Sequence, residues 1–266
     1  MSEHFDPMPA VSILAETWKS GTQLTELPVA VRPQTLDQGY DIQDKLLAVL
    51  GEKLVGWKIA MGSANVMRKM GINRPVVGRV VASRCYRAGD TVPLPRQAPA
   101  VLEFEAAFIL ACDVDPLAAP VSPLDVISST CVTYELVGSR FVDRRACGIP
   151  SFVADNSAFH ALVVGGNFEL ARLKELLESV TVSVDGKEKA RAMSGDDLID
   201  PVQSLGHLLA HARDRKITLK QGDIVSAGTL TEPFELPVGN VEVVTRYLDS
   251  ELRMRTQVPQ AMGTAR

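Results

Sequence analysis

Residues 101–110 read VLEFEAAFIL, an apolar run interrupted twice by glutamate with one phenylalanine between. Side chains alternate faces along an extended strand. Leu102, Phe104, Ala106, Phe108 and Leu110 therefore point one way, and Glu103, Glu105, Ala107 and Ile109 the other. Two carboxylates on one face of an apolar strand are costly unless something positive lies between them or one stays protonated. The competing reading is plain: E-x-E is also what the wet face of an ordinary antiparallel strand carries.

A third acid, Glu135, sits in VTYELVGSR, again inside an apolar strand-like run. Three carboxylates embedded in strands suit a hard divalent cation such as Mg²⁺ or Mn²⁺, which takes oxygen ligands, and disfavour zinc. In LVGWKIAM, Lys58 shares a strand face with Leu54, Gly56 and Ala60, neighbours that leave room for a ligand and desolvate an ammonium. Such a lysine donates to a developing oxyanion or serves as general acid/base; the alternative is a surface lysine on an edge strand.

Arg140 follows Gly138-Ser139 and is placed either to clamp a substrate carboxylate bidentately or to make a structural ion pair. Asp155-Asn156 in FVADNSAFH reads as a turn, or as a pair that orients water on a metal. His207 and His211 lie four apart on a predicted helix, but HLLAH lacks the glutamate of a zinc-protease motif and reads as an amphipathic helix. GxGxxG, P-loop and GxSxG patterns are absent, which removes nucleotide and serine-hydrolase readings.

With 266 residues, 46% of them hydrophobic, the chain has material for one large core. Residues 10 to 50 have helical spacing, and the texture changes at Leu54 to short strands broken by Gly and Pro. Helices are predicted near SANVMRKMG, LARLKELLES and PVQSLGHLLAHARDR, and a hairpin at Asp185-Gly186. The expected architecture is α+β: an N-terminal helical region over 1–53 packed on a strand-dominated domain over 54–266.

A net charge of -4 with scattered Lys and Arg excludes a nucleic-acid partner. The start MSEHFDPMPA has neither a basic head nor an apolar stretch, and no apolar run reaches membrane-spanning length, so a cytoplasmic protein with no membrane partner is expected. Cys85, Cys112, Cys131 and Cys147 are far apart without a CxxC pair and read as free buried thiols.

In order, GWKIAMGS, NRPVVGRV, LEFEAAFIL, ELVGSRFVD, VADNSAF and GDIVSAGT resemble the 2-oxopent-4-enoate hydratase and 4-oxalocrotonate decarboxylase group of the fumarylacetoacetate hydrolase superfamily. The resemblance runs from about Thr35 to Val244. It implies a mixed β-sheet roll or barrel, a homo-oligomer, and one Mg²⁺ or Mn²⁺ held by Glu103, Glu105 and Glu135. It places Lys58 at the active-site lysine and makes Arg140, Asp155 and Thr229 candidates for binding a 2-oxo acid substrate. The implied activity is that of a lyase of aromatic meta-cleavage catabolism, a hydratase or, alternatively, a decarboxylase of 2-oxo-3-enedioates. An acylpyruvate C–C hydrolase and a metal-binding oligomer without catalysis are the readings of other classes. The chain departs from the hydratase pattern at Val76, where an aspartate is expected, at IAMGS, at Ser157-Ala158 and at SAGT, which leaves the distal chemistry open.

Overall fold

The computed structural model describes residues 5–95 and 99–258. The N-terminal residues form two helices, α1 (Met8–Ser20) and α2 (Leu36–Leu50). Thr35 caps α2 by accepting from the Gln38 N–H, and Gly51 ends it in a left-handed conformation. Their apolar faces, including Val11, Leu14, Trp18, Tyr40, Ile42 and Leu46, are buried in the same core as Trp57, Ile59 and Phe152.

From Leu54 the chain runs β1 (Leu54–Ala60), α3 (Ala64–Met70), β2 (Val76–Val81), β3 (Cys85–Arg87), β4 (Thr91–Pro93), β5 (Val101–Leu110) and β6 (Ile127–Val137). It continues through α4 (Ile149–Ala154), β7 (Phe159–Phe168), α5 (Leu173–Ser179), β8 (Thr181–Val184), β9 (Lys187–Arg191) and α6 (Pro201–Asp214). Last come β10 (Ile224–Thr229), β11 (Phe234–Glu235), β12 (Glu242–Tyr247) and β13 (Ser250–Gln257).

Among the described residues the strands form two sheets. The larger has the order β2-β1-β10-β5-β6-β7-β3, with β11 on the end of β5; the smaller is β4-β13-β12-β8-β9. Most pairings are antiparallel, but β1 runs parallel to β10, joining strands distant in sequence within the large sheet. The large sheet curls as a half-barrel. Leu102, Phe104 and Ala106 of β5 and Val132, Tyr134 and Leu136 of β6 pack on Val182, Val243, Leu252 and Met254 of the small sheet. Farther along β5, Phe108 and Leu110 join the core under the helices. The odd-numbered acids of β5 and β6 thus face away from the small sheet.

The predicted elements recur as helices, strands and the Asp185-Gly186 hairpin, while β13, an amphipathic strand in SELRMRTQ, was not anticipated. Lys58 is not on an edge: β1 lies between β2 and β10. Nor does Gly56 make room for a ligand, because a Cβ there would meet the Ile224 carbonyl oxygen at 2.1 Å; it lets β10 approach. The cysteines are free, but Cys112 is exposed and Cys85 half-buried, leaving Cys131 and Cys147 as the buried thiols. Among the described residues no helix is long and apolar enough to cross a membrane.

Candidate active site

Register builds the site. Glu103 of β5 lies opposite Glu135 of β6, and Glu105 lies opposite Thr133. On the other side of β5, Ser226 of β10 pairs with Ala107 and Thr229 with Glu105. One strand farther, Lys58 of β1 pairs with Ser226. Four neighbouring strands therefore turn Lys58, Ser226, Glu103, Glu105, Thr133 and Glu135 toward one another. One oxygen from each of the three glutamates lies within 4.8 Å of the others.

Like charges directly across a strand pair repel, and here they are also desolvated. Glu105 and Glu135 are fully buried and Glu103 is half-buried. Burial pushes the Glu135 carboxyl up to about 7, against the pull of Lys58. Burial, then the charges of Glu135 and Glu103, push Glu105 well above the ordinary carboxylate range. Glu103 is raised by burial and drawn back by Lys58 and Arg144.

The one ammonium among these acids is itself 1% exposed, with Nζ 2.9 Å from Glu135 Oε1. That contact is an ion pair on Oε1, and Glu135 Oε2 and Glu105 Oε1 stay buried without a hydrogen-bond donor. Three ionised carboxylates outnumber Lys58 and the half-buried Arg144 that also acts on Glu103, and orphaned buried oxygens are rare and costly. An all-oxygen donor set with this deficit fits a divalent cation held by Glu103, Glu105 and Glu135.

Lys58 is held from below. Its Nζ donates to the Ser157 carbonyl oxygen at 2.9 Å. That carbonyl belongs to a turn in which Asn156, Ser157 and Ala158 all have positive φ (50°, 50° and 59°), a conformation non-glycine residues adopt at a cost. The turn is pinned to β2. Asn156 Oδ1 accepts from the Arg79 N–H (2.7 Å) while its Nδ2 donates to the Arg79 carbonyl (2.9 Å), and Ser157 Oγ donates to the Val77 carbonyl (3.0 Å). Gly78 is required between them: a Cβ would meet Asn156 O at 2.9 Å and Lys58 Cδ at 3.0 Å.

Lys58, Glu103 and Thr229 line a cavity of about 1140 Å³, whose walls also carry Arg144, Arg145 and Phe152. The Thr229 hydroxyl donates to the Thr231 carbonyl oxygen at 2.8 Å. Arg140 and Asp155 do not line this cavity. Arg140 Nε donates to Asp155 Oδ1, Nη1 to the carbonyls of Gly138 (2.8 Å) and Phe159 (2.9 Å), and Nη2 to the Asp155 carbonyl. Its guanidinium also stacks on Trp18, 4.4 Å from the ring centroid. These are the contacts of the structural ion pair: four of the five guanidinium N–H donors are spent, and the one left on Nη2 cannot form the expected bidentate clamp on substrate. Asp155 likewise spends Oδ2 on Ser139 Oγ and the Arg140 N–H, both at 2.9 Å.

Val76 is fully buried in the core and away from the cavity wall. His211 packs on Tyr40 with ring centroids 4.5 Å apart, as an amphipathic-helix histidine does.

Sequence reasoning missed the residues that orient Glu105. Ser226 Oγ donates to Glu105 Oε2 and lies 2.6 Å from Thr133 Oγ1, and the Gly228 N–H donates to the same Oε2 at 3.1 Å. One Glu105 oxygen is thereby saturated and the other left free. A polar Ser inside GDIVSAGT was the available signal; the irregular β10 register between Ser226 and Thr229, which brings the Gly228 N–H round, was not visible.

No family model matches the chain. It is 30% identical over 194 residues, 71% of its length and 72% of the relative's, to a 2-keto-4-pentenoate hydratase of Paraburkholderia phymatum. A TodF product hydratase of Pseudomonas putida is 25% identical over 242 residues, covering 87% of this chain and 88% of that protein. Among solved structures, 4-oxalocrotonate decarboxylase from Pseudomonas putida G7, complexed with magnesium and adipate, superposes with a TM-score of 0.80. At 20% identity it covers 94% of this chain and 98% of its own. With that relative and this acidic cluster in a curled half-barrel, the chain belongs to the hydratase/decarboxylase group of the fumarylacetoacetate hydrolase superfamily, a group of lyases.

Proposed function

We propose that the protein is a divalent-cation-dependent hydratase of 2-hydroxy-2,4-dienoic acids, with Mg²⁺ or Mn²⁺ as the ion. The observation that carries this reading is the glutamate trio, in which Glu105 Oε1 and Glu135 Oε2 are buried without a donor, beside a lysine on the cavity wall. Glu103, Glu105 and Glu135 would hold the cation, which when bound would supply a Lewis acid to the 2-oxygenated carboxylate end of such an acid. Lys58, braced by Glu135 and the Ser157 carbonyl, keeps a remaining N–H for the C2 oxygen and holds or returns its proton. Across the reaction the enol oxygen loses its proton, C3 and C5 each gain hydrogen, and C4 takes the hydroxyl. Phe152 and Ile149 give the cavity an apolar wall that limits water around the reacting chain.

Decarboxylation of a 2-oxo-3-enedioate draws on the same electron sink, and the 4-oxalocrotonate decarboxylase fold keeps it as the second reading. We place the enzyme in the cytoplasm as a homo-oligomer, a state that light scattering after size exclusion measures.

The test is a panel of 2-hydroxydienoic acids and 2-oxo-3-enedioates with Mg²⁺ or Mn²⁺. It follows dienol absorbance, the 4-hydroxy-2-oxo product and CO₂. Hydration that stops in excess chelator is the expected result. Full turnover in chelator or in Glu105→Gln, or CO₂ release without hydration, sinks the reading.

A further inference from the structure

With Arg140 consumed by the fold, the question is which cation meets the acid beyond the metal site. The segment after Phe141 turns under Asp143, whose Oδ1 accepts the N–H groups of Arg145 (2.8 Å) and Ala146 (3.0 Å) while its carbonyl accepts from Cys147 (3.2 Å). This capped turn sets Arg144 and Arg145 on the wall of the cavity that holds Lys58 and Glu103. Among the described residues Arg140, Arg191 and Arg215 have carboxylate partners, and Arg144 and Arg145 have none. Arg145 is exposed. Arg144 is half-buried and close enough to Glu103 to draw that carboxyl's pKa down.

A half-buried guanidinium without a partner is a planar five-donor fork awaiting an anion. In the reading above, on which this inference rests, the first carboxylate and the C2 oxygen of the acid are taken by the cation and Lys58. A cavity of about 1140 Å³ exceeds the roughly 300–1,000 Å³ usual for small-molecule sites and has space for a longer chain. We propose that Arg144 binds a second, remote carboxylate, so that the protein selects 2-oxo acids that are dicarboxylates over monocarboxylates of equal length. Arg145 flanks it at the solvent side.

The test compares two unreactive probes of equal chain length, 2-oxoadipate and 2-oxohexanoate, by calorimetric titration of the full-length protein loaded with Mn²⁺. A charge-assisted bidentate contact predicts that wild type binds 2-oxoadipate roughly 10- to 100-fold more tightly. Arg144→Gln brings the ratio near one, and Arg144→Lys restores part of it. Lys69→Gln, which removes an exposed cation on the same cavity wall, leaves the ratio unchanged. A ratio near one in wild type, no binding of either acid, or a ratio that survives Arg144→Gln would overturn the proposal. The readout needs no turnover. Dicarboxylate preference without hydration of any dienoic acid upholds Arg144 and rejects the hydratase, and hydration with a ratio of one does the reverse.

Discussion

Glu105 shows how a single side chain is prepared for a ligand. Oε2 is saturated by Ser226 and Gly228, and Oε1 has no donor. Such outer partners fix ligand orientation, and losing one typically costs 10- to 100-fold in metal affinity. Ser226→Ala is therefore expected to weaken Mn²⁺ binding by about tenfold or more, read by calorimetry on the folded protein; unchanged affinity would remove Ser226 from the role. Lys58→Met is expected to lower kcat by roughly 10²–10⁴-fold while Mn²⁺ still binds, and an unaltered pH–rate profile would discard the lysine. Glu103, Glu105 and Lys58 could be picked out by strand alternation, because period two is a property of the local sequence. Ser226 could not, because its meaning depends on the antiparallel pairing of β10 with β5, which brings it to Glu105, 121 positions away.

Among the elements, the turn between α4 and β7 matters most. Asp155 ties its start to Ser139 and Arg140, Arg140 grips it through side chain and carbonyl, and its product is a carbonyl aimed at Lys58. Removing one member of a buried ion pair leaves the other uncompensated. Asp155→Ala should then cost about 3–5 kcal/mol of stability, measured by urea unfolding, and a change below about 1 kcal/mol would mark the pair as dispensable. In the sequence, Asp155-Asn156 reads correctly as a turn, but three successive left-handed residues cannot be inferred from ADNSA, since Ser and Ala have no preference for that region. The same limit applies to Arg140: four acceptors, three of them backbone carbonyls, decide its role, and carbonyls carry no sequence signature.

For the whole molecule, the acidic cluster links folding to pH and, on the proposed reading, to cation. Glu103, Glu105 and Glu135 all have folded pKa values raised above the unfolded ones. The folded state therefore holds extra protons, so the associated stability is full below the unfolded carboxylate pKa and lost as pH rises, through about 7 for Glu135. In chelator, the melting temperature should fall from pH 5 to pH 8, by about 5 °C or more. Mn²⁺ should restore it at pH 8 and do little at pH 5, where protons occupy its ligands; differential scanning fluorimetry measures both. A melting temperature that rises over this range would contradict the burial of ionisable acid described for the site.

The two-sheet core was legible only in part: alternation in β5 and β6 marked their apolar face, but nothing local revealed that its cover would be β8, β12 and β13. The parallel join of β1 to β10 carries a further consequence, for the newborn chain. Synthesis delivers Lys58, then the three glutamates, and only much later Ser226 and Gly228. Until residue 229 has left the ribosome, the place of β10 between β1 and β5 stays unfilled and the acids have no bracket. On the proposed reading, cation capture waits for β10 to be made, and a chain cut before Ile224 is expected to bind Mn²⁺ weakly.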